Sequence, residues 1–357
     1  MPKNLPKLPD LPTTVNELIA DRAIRHALYL ERYKTQVAND ILAEFNKTLE
    51  PELLAKIEKS LRTVTMSSKK LQSLFKDNGD LVRAEYLVME SKMYGQLRDF
   101  AKVESSWLIK TMQNFMPIAY DFVSPNANML KALVTQQPME GALVKEWFGK
   151  LARDTAFNVN RTIQNGMIEG QGIADIVRRI KGTRAAQYTD GILNTSRHNL
   201  NSVVRTATSN VSHAARDEVY AANTDVVKGV EILATLDTRT CLECMNLDGK
   251  VYQVDEGRRP PFHYSCRCTT APVLKSWKEL GIDAKELPAG TRASMNGQVP
   301  ATQTYPAWLK KQTADVQNEA LGVGRAKMFR SGQLKLNDFI DRRNKPLTLK
   351  ELEKLAV

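Results

Sequence analysis

Cysteine is nearly missing from this chain of 357 residues. There are four, and none precedes position 241 or follows position 268. A disulfide framework spread over the molecule is therefore excluded. No stretch approaches the roughly 18 consecutive apolar residues that a membrane span requires, which argues against a membrane protein. The start is no secretory signal either, because prolines at positions 2, 6, 9 and 12 interrupt every apolar run. The chain reads as soluble and made in the cytoplasm, where thiols stay reduced and a cysteine cluster more often binds metal than forms disulfides. No internal repeat is evident. Glu169-Gly-Gln-Gly172 is glycine-rich but lacks a preceding strand and the lysine of a phosphate loop, so it reads as a hinge. No constellation suited to catalysis stands out, and the expectation is that the chain is not an enzyme.

The composition that remains is that of a soluble globular protein, with 42% hydrophobic and 25% charged residues and length enough for two or three domains. The net charge of +11 is less ordinary. It suggests an acidic partner such as nucleic acid, an anionic membrane surface or a negatively charged protein. A solubility bias spread over many helices predicts the same charge. Arg342, Arg343, Lys345, Lys350 and Lys354 form the densest cluster.

Residues 1–12 read as an extended, proline-rich arm. Residues 13–139 read as a helical N-terminal domain. A capping box at Thr14-Val-Asn-Glu17 opens it, and Leu30, Tyr33, Val37, Ile41 and Phe45 recur at steps of three or four. The pattern resumes after Pro51, and residues 80–116 predict a long helix stopped by Pro117. Helices are also expected at Asn126–Val134, Glu140–Met167, Ile173–Ile180 and Ser196 to about Ala222. The last carries a narrow apolar stripe of Val203, Ala207, Val211 and Ala214. Residues 140–275 are assigned to an α+β domain. Its strands are expected at Lys228–Thr235, at Lys250–Val254 after an Asp248-Gly249 hairpin turn, and at Thr269–Leu274. Residues 276–357 read as a helical and loop-like extension. The expected fold class is mostly α with a small α+β module.

The chemistry concentrates in Cys241-Leu-Glu-Cys244 and His263-Tyr-Ser-Cys266-Arg-Cys268. A CxxC turn presents two thiolates toward one point, which is half of a tetrahedral zinc site. The second segment supplies three further donors. Cys241, Cys244, His263, Cys266 and Cys268 are thus five candidates for four positions. Zinc, reduced cysteines packed in a small core and a disulfide formed outside the cell all remain open. His26, His198 and His213 lie on predicted helices and read as structural. Arg258-Arg259 suits a phosphate, an acidic surface or simply an exposed loop. Asp237 is expected to form an Asx turn, and Arg267 to offset thiolate charge.

The run Leu236-Asp-Thr-Arg-Thr-Cys241-Leu-Glu-Cys244-Met-Asn-Leu-Asp248-Gly-Lys-Val-Tyr252, followed by Pro261-Phe-His263-Tyr-Ser-Cys266-Arg-Cys268 and Pro272, resembles the signature of the phage Mu F-like minor head proteins. Val204-Arg-Thr206 is similar to the start of that family's Arg-Thr-Glu helix, with Ala207 where an acidic residue is usual. A looser likeness extends through Leu321–Arg325, Phe329–Gly332 and Lys345–Leu349. The resemblance implies a virion component in few copies at the portal vertex of the phage head, needed for head morphogenesis. The implied partners are the portal, major capsid and scaffold proteins and the packaged DNA, with no membrane. Two alternatives accompany this reading: a zinc-containing nucleic-acid-binding protein, and a virion-delivered ADP-ribosyltransferase-like enzyme.

Overall fold

The apolar spacing of the first half does produce helices, though their limits differ from those read off the sequence. A computed structural model describes residues 15–63, 69–285, 287 and 290–355. The proline-rich arm and Thr14 of the capping box lie outside the described residues. Helix α1 (Val15–Glu44) continues through one wide turn of π-helix (Phe45–Leu49) into α2 (Glu50–Leu61). A proline ring clashes with the carbonyl four residues back. The wide turn immediately before Pro51 relieves that clash, and the helix passes through without a break. Helix α3 (Lys69–Phe115) starts eleven residues before the expected position 80, because Leu71 and Leu74 already bury its first turns. It ends ahead of Pro117, whose ring disfavours helix at the preceding residue.

Helix α4 (Ala127–Gln136) is capped by Asn126, whose side chain accepts from the amides of Asn128 and Met129. Helix α5 (Val144–Ile168) begins later than expected, after a tight turn through Glu140 and Gly141, both at positive φ. Then come α6 (Ile173–Lys181) and α7 (Ile192–Ala222). Helix α7 is buried on more than a narrow stripe: Thr206, Thr208, Ser209, Ser212 and Arg216 join the apolar residues inside. Thr206 and Thr208 are satisfied by donating to the carbonyls of Ser202 and Val204, so their burial leaves no hydroxyl unpaired.

The β part is a three-stranded antiparallel sheet in the order β2-β1-β3, made of β1 (Val227–Leu233), β2 (Val251–Tyr252) and β3 (Thr269–Leu274). Between β1 and β2 lies the short helix α8 (Leu242–Leu247). Central β1 is buried at five of its seven residues, with Lys228 exposed and Glu231 half-buried. Gly229 is needed there: a Cβ would meet the Tyr252 carbonyl at 2.9 Å. Pro272 is accommodated because β3 is an edge strand. Residues 276–357, read as helix and loop, also contain a hairpin of β4 (Thr291–Ser294) and β5 (Gly297–Pro300). Helices α9 (Tyr305–Lys310), α10 (Ala314–Leu321), α11 (Val323–Ser331) and α12 (Leu349–Leu355) follow, with a 3₁₀ turn at Leu336–Phe339.

The chain divides into two compact units. One gathers residues 32–103 and 126–212; the other gathers 1–31, 104–125 and 213–357. In the first, Tyr86 stands edge-on to Phe45 and Phe148, and its hydroxyl meets Thr155, which donates to Ser196 at 2.9 Å. The second contains all of the sheet and has three apolar clusters. One joins the start of α1, the end of α3 and the end of α7 to the sheet. Another is built on Tyr305, Trp308 and Phe339, and a third surrounds the cysteines.

Two buried ionic groups fasten this second unit. Arg216 and Glu104 are both fully buried, with guanidinium–carboxylate contacts of 2.8 and 3.1 Å; the other Glu104 oxygen meets His26 at 2.6 Å. Asp248 is not simply a hairpin residue. Its carboxylate accepts from the amides of Ala234 (2.7 Å) and Tyr305 (2.6 Å) and from both terminal nitrogens of Arg292 (3.0 and 3.1 Å). Breaking such a pair leaves a buried charge uncompensated. Arg292→Met should therefore lower the unfolding free energy by about 3–5 kcal/mol. Loss of the exposed Arg178–Asp175 pair through Arg178→Ala should cost about 0.5 kcal/mol or less. Denaturant titration of both variants measures the difference; equal losses would show that the Arg292 pair holds nothing together.

Candidate metal centre

The two halves of the cysteine–histidine motif are delivered by different devices. Cys241 is the N-cap of α8 and its sulfur accepts from the Cys244 amide at 3.5 Å, so the CxxC spacing closes one helical turn. Cys268 directly precedes β3 and is fixed by that strand's pairing with β1. His263 and Cys266 lie in the intervening loop, where the Cys266 amide donates to the His263 carbonyl at 3.2 Å and Ser265 adopts positive φ. Ile232, Ala234, Leu247 and Phe262 form an apolar jacket around the sulfurs.

All five candidates converge. The His263 Nε2 atom lies 3.2 Å from the Cys241 sulfur and 3.4 Å from that of Cys244, and the Cys244 and Cys266 sulfurs are 3.8 Å apart. Two triads of donor atoms meet within 4.8 Å, Cys241–Cys244–His263 and Cys244–Cys266–Cys268, and Cys244 belongs to both. Thiolates about 2.3 Å from a tetrahedral zinc ion stand about 3.8 Å from one another, and a thiolate and an imidazole nitrogen about 3.5 Å. The observed spacings fit that polyhedron. A cavity of about 30 Å³ lies at the cluster, lined by Cys241, Cys244, His263 and Cys268 among others. The four thiols are all free, with no disulfide among them.

The imidazole is oriented for ligation. Its Nδ1 faces the Tyr264 carbonyl at 2.9 Å; a carbonyl only accepts, so Nδ1 carries the hydrogen and Nε2 is turned to the sulfurs. Without an ion the donors hold one another's protons. The hydrogen bond from Cys244, followed by that with His263, outweighs burial and pushes the Cys241 thiol down to about 4. The same sulfurs, Cys241 first and then Cys266, push His263 up to about 11. Cys244 is raised by sharing its proton with Cys241, Cys266 and Cys268. Cys241 is half-buried, whereas the other three cysteines are buried.

Charged neighbours brace the loops. Arg267 does more than sit between thiols: it grips Asp237 with two parallel bonds of 2.7 Å. Asp237 also forms the expected Asx turn, accepting from the Arg239 amide at 3.0 Å. Burial pushes the Asp237 carboxyl up, but the Arg267 fork outweighs it and holds the group below the usual carboxylate range. Arg258 pairs with Glu243, and Arg259 with Asp217 and the carbonyls of Gln253, Val254 and Glu256. Arg258 therefore ties this loop to α8, while Arg259 staples the loop to itself and to α7. His26 stacks on Trp107 with ring centroids 3.7 Å apart, His213 reaches the Cys268 carbonyl at 3.2 Å, and His198 is exposed. None of the three joins the cluster.

The family model described as Phage Mu protein F like protein matches residues 157–271. Over that segment, about a third of its length, the chain is similar to the phage Mu F-like proteins. The matched segment runs from within α5 into β3 and contains all five sulfur and nitrogen donors. No curated protein and no solved structure matches the chain. Two residues bracing this segment's loops escaped the sequence reading, Arg292 and Tyr305, which lie beyond the matched segment. Their partner Asp248 was visible only as part of an Asp-Gly pair.

The lowered Cys241 thiol has a measurable consequence. A thiol of ordinary pKa gains about tenfold in alkylation rate per pH unit below its pKa, since the thiolate is the nucleophile. Cys241, already thiolate above about pH 4, should alkylate with iodoacetamide at a rate nearly flat between pH 5.5 and 7.5 in metal-depleted protein. Peptide mapping reads the site, and preferential labelling of Cys244 would contradict the proton arrangement.

Proposed function

We propose that this chain is a structural minor head protein of a tailed bacteriophage, acting in head morphogenesis at the portal without a reaction of its own. The observation that carries the reading is the match to the Mu F-like family over the segment holding the whole cysteine–histidine cluster. The net charge supports it further. Residues 126–212 hold eleven Lys and Arg against six Asp and Glu, a bias suited to surfaces near packaged DNA.

In this reading the cluster is a clasp. Cys241, Cys244, His263 and Cys266 would hold a zinc ion, with Cys268 as a fifth, deeply buried thiol beside them. Bound zinc supplies a four-way crosslink where the jacket of apolar residues is thin, and its binding energy becomes folding energy. The chain's own groups do the positioning. Tyr264 fixes the imidazole, α8 presents two sulfurs from one turn, and the Arg267–Asp237 fork keeps the loop after β1 against the loop before β3.

Protein purified under reducing conditions should contain about one zinc per chain by elemental mass spectrometry. Cys244→Ser, which removes the sulfur common to both triads, should abolish it and lower the thermal midpoint. Wild-type protein without zinc would refute the clasp. The assembly role is tested separately. Deleting the gene in its phage should abolish DNA-filled heads, and purified virions should contain the protein at far fewer copies than the major capsid subunit. Normal heads without the protein would overturn the reading.

A further inference from the structure

The C-terminal part of the second unit contains a groove of about 690 Å³ between α9, the end of α11 and the 3₁₀ turn. Phe329-Arg-Ser-Gly332 forms one wall, a stretch that stood out in the sequence and that neither the cysteine cluster nor the sheet accounts for. The groove's apolar side is made of Leu334 and Leu336, 5% and 2% exposed, with Phe329 half-buried beside them. Gly332 stands at φ 76° with nothing within 4 Å of where a Cβ would lie. The left-handed turn that ends α11 needs a glycine there, and the space in front stays open.

The charges in this groove have one sign. Lys310, Arg330 and Lys335 line it, and no aspartate or glutamate does. Lys310 and Lys335 are exposed and enter no ion pair among the described residues. Arg330 is steered by Asn318 Oδ1 at 3.0 Å rather than by a carboxylate. Asp338, close in sequence, is turned away to accept from the Lys335 amide at 2.7 Å.

We propose that this groove binds an acidic peptide segment of a partner protein, with one aromatic or aliphatic anchor flanked by aspartate or glutamate. The volume suits one or two buried side chains. The apolar side would take the anchor, and the three cations would meet the flanking carboxylates and steer the encounter. A nucleic-acid backbone would use the cations alone and leave the half-buried Phe329 ring uncovered, so the apolar wall beside the cations favours a peptide. The proposal does not depend on the assembly reading above.

The test is selection of a displayed library of random 12-residue peptides on the immobilised full-length chain, with the double variant Lys310→Glu, Lys335→Glu as counter-target. Both side chains are exposed, and circular dichroism with a thermal melt checks that the variant folds; if it does not, Lys310→Gln, Lys335→Gln replaces it. Enriched peptides are expected to be acidic with an aromatic or aliphatic anchor. A synthetic consensus peptide should bind the wild type at least about tenfold more tightly than the variant, a difference of about 1.4 kcal/mol. A 30-base-pair duplex at equal charge should not displace it. Absence of enrichment, enrichment without acidic residues, equal binding to the variant, or displacement by the duplex would each overturn the proposal.

Discussion

The carboxylate of Asp248 is the contact on which the β module most depends. It is buried and receives four hydrogen bonds, from the Ala234 amide after β1, the first amide of α9 and two nitrogens of Arg292 on β4. Arg292 in turn donates to the Ala234 and Gln303 carbonyls. Three separate stretches of chain thus share one ionic centre. The desolvation of both charges is offset only while every partner is present, which makes the centre a determinant of arrangement as much as of stability.

The cysteine cluster relies on that arrangement. The turn after Asp248 leads into β2, and β2 and β3 flank β1. Pairing of β3 with β1 sets where Cys268 emerges, and α8 sets where Cys241 and Cys244 point. The Arg267–Asp237 fork then crosses from the first loop to the second. The donors converge because the sheet and these two ion pairs bring the loops together, and the sulfurs and imidazole hold one another's protons once there. An ion would replace that proton sharing with direct bonds of greater strength.

A second ionic centre, Glu104 with Arg216 and His26, joins α1, α3 and α7 within the same unit. Arg216 also donates to Thr269 at 2.6 Å and lies over the Trp107 ring. Through Thr269 this centre reaches the first residue of β3, next to Cys268. The helical frame and the cysteine module are therefore fastened by charge as well as by apolar burial. Along α7, Arg216 is consumed in this fastening, His213 reaches the Cys268 carbonyl, and Thr206 and Thr208 bond to their own helix.

Helical periodicity was readable wherever apolar residues recur along one face, as in α1, α2 and α5. It failed at the ends, where a π turn carried the chain past Pro51 and Leu71 drew α3 forward. The strands β1 and β3 were legible from their β-branched runs, and the hairpin at 291–300, short and mostly polar, was not. Within the site, the identities of the five donors and their grouping into two segments came from sequence spacing alone, because a CxxC turn acts over one helical turn and needs no distant partner. Which charges brace those donors was decided by the tertiary structure. Asp248 finds Arg292 and Tyr305 more than forty residues away, and Arg216 finds Glu104 across more than a hundred. Such pairs leave no local pattern, since burial and pairing depend on how the chain packs and not on what stands beside it in the sequence.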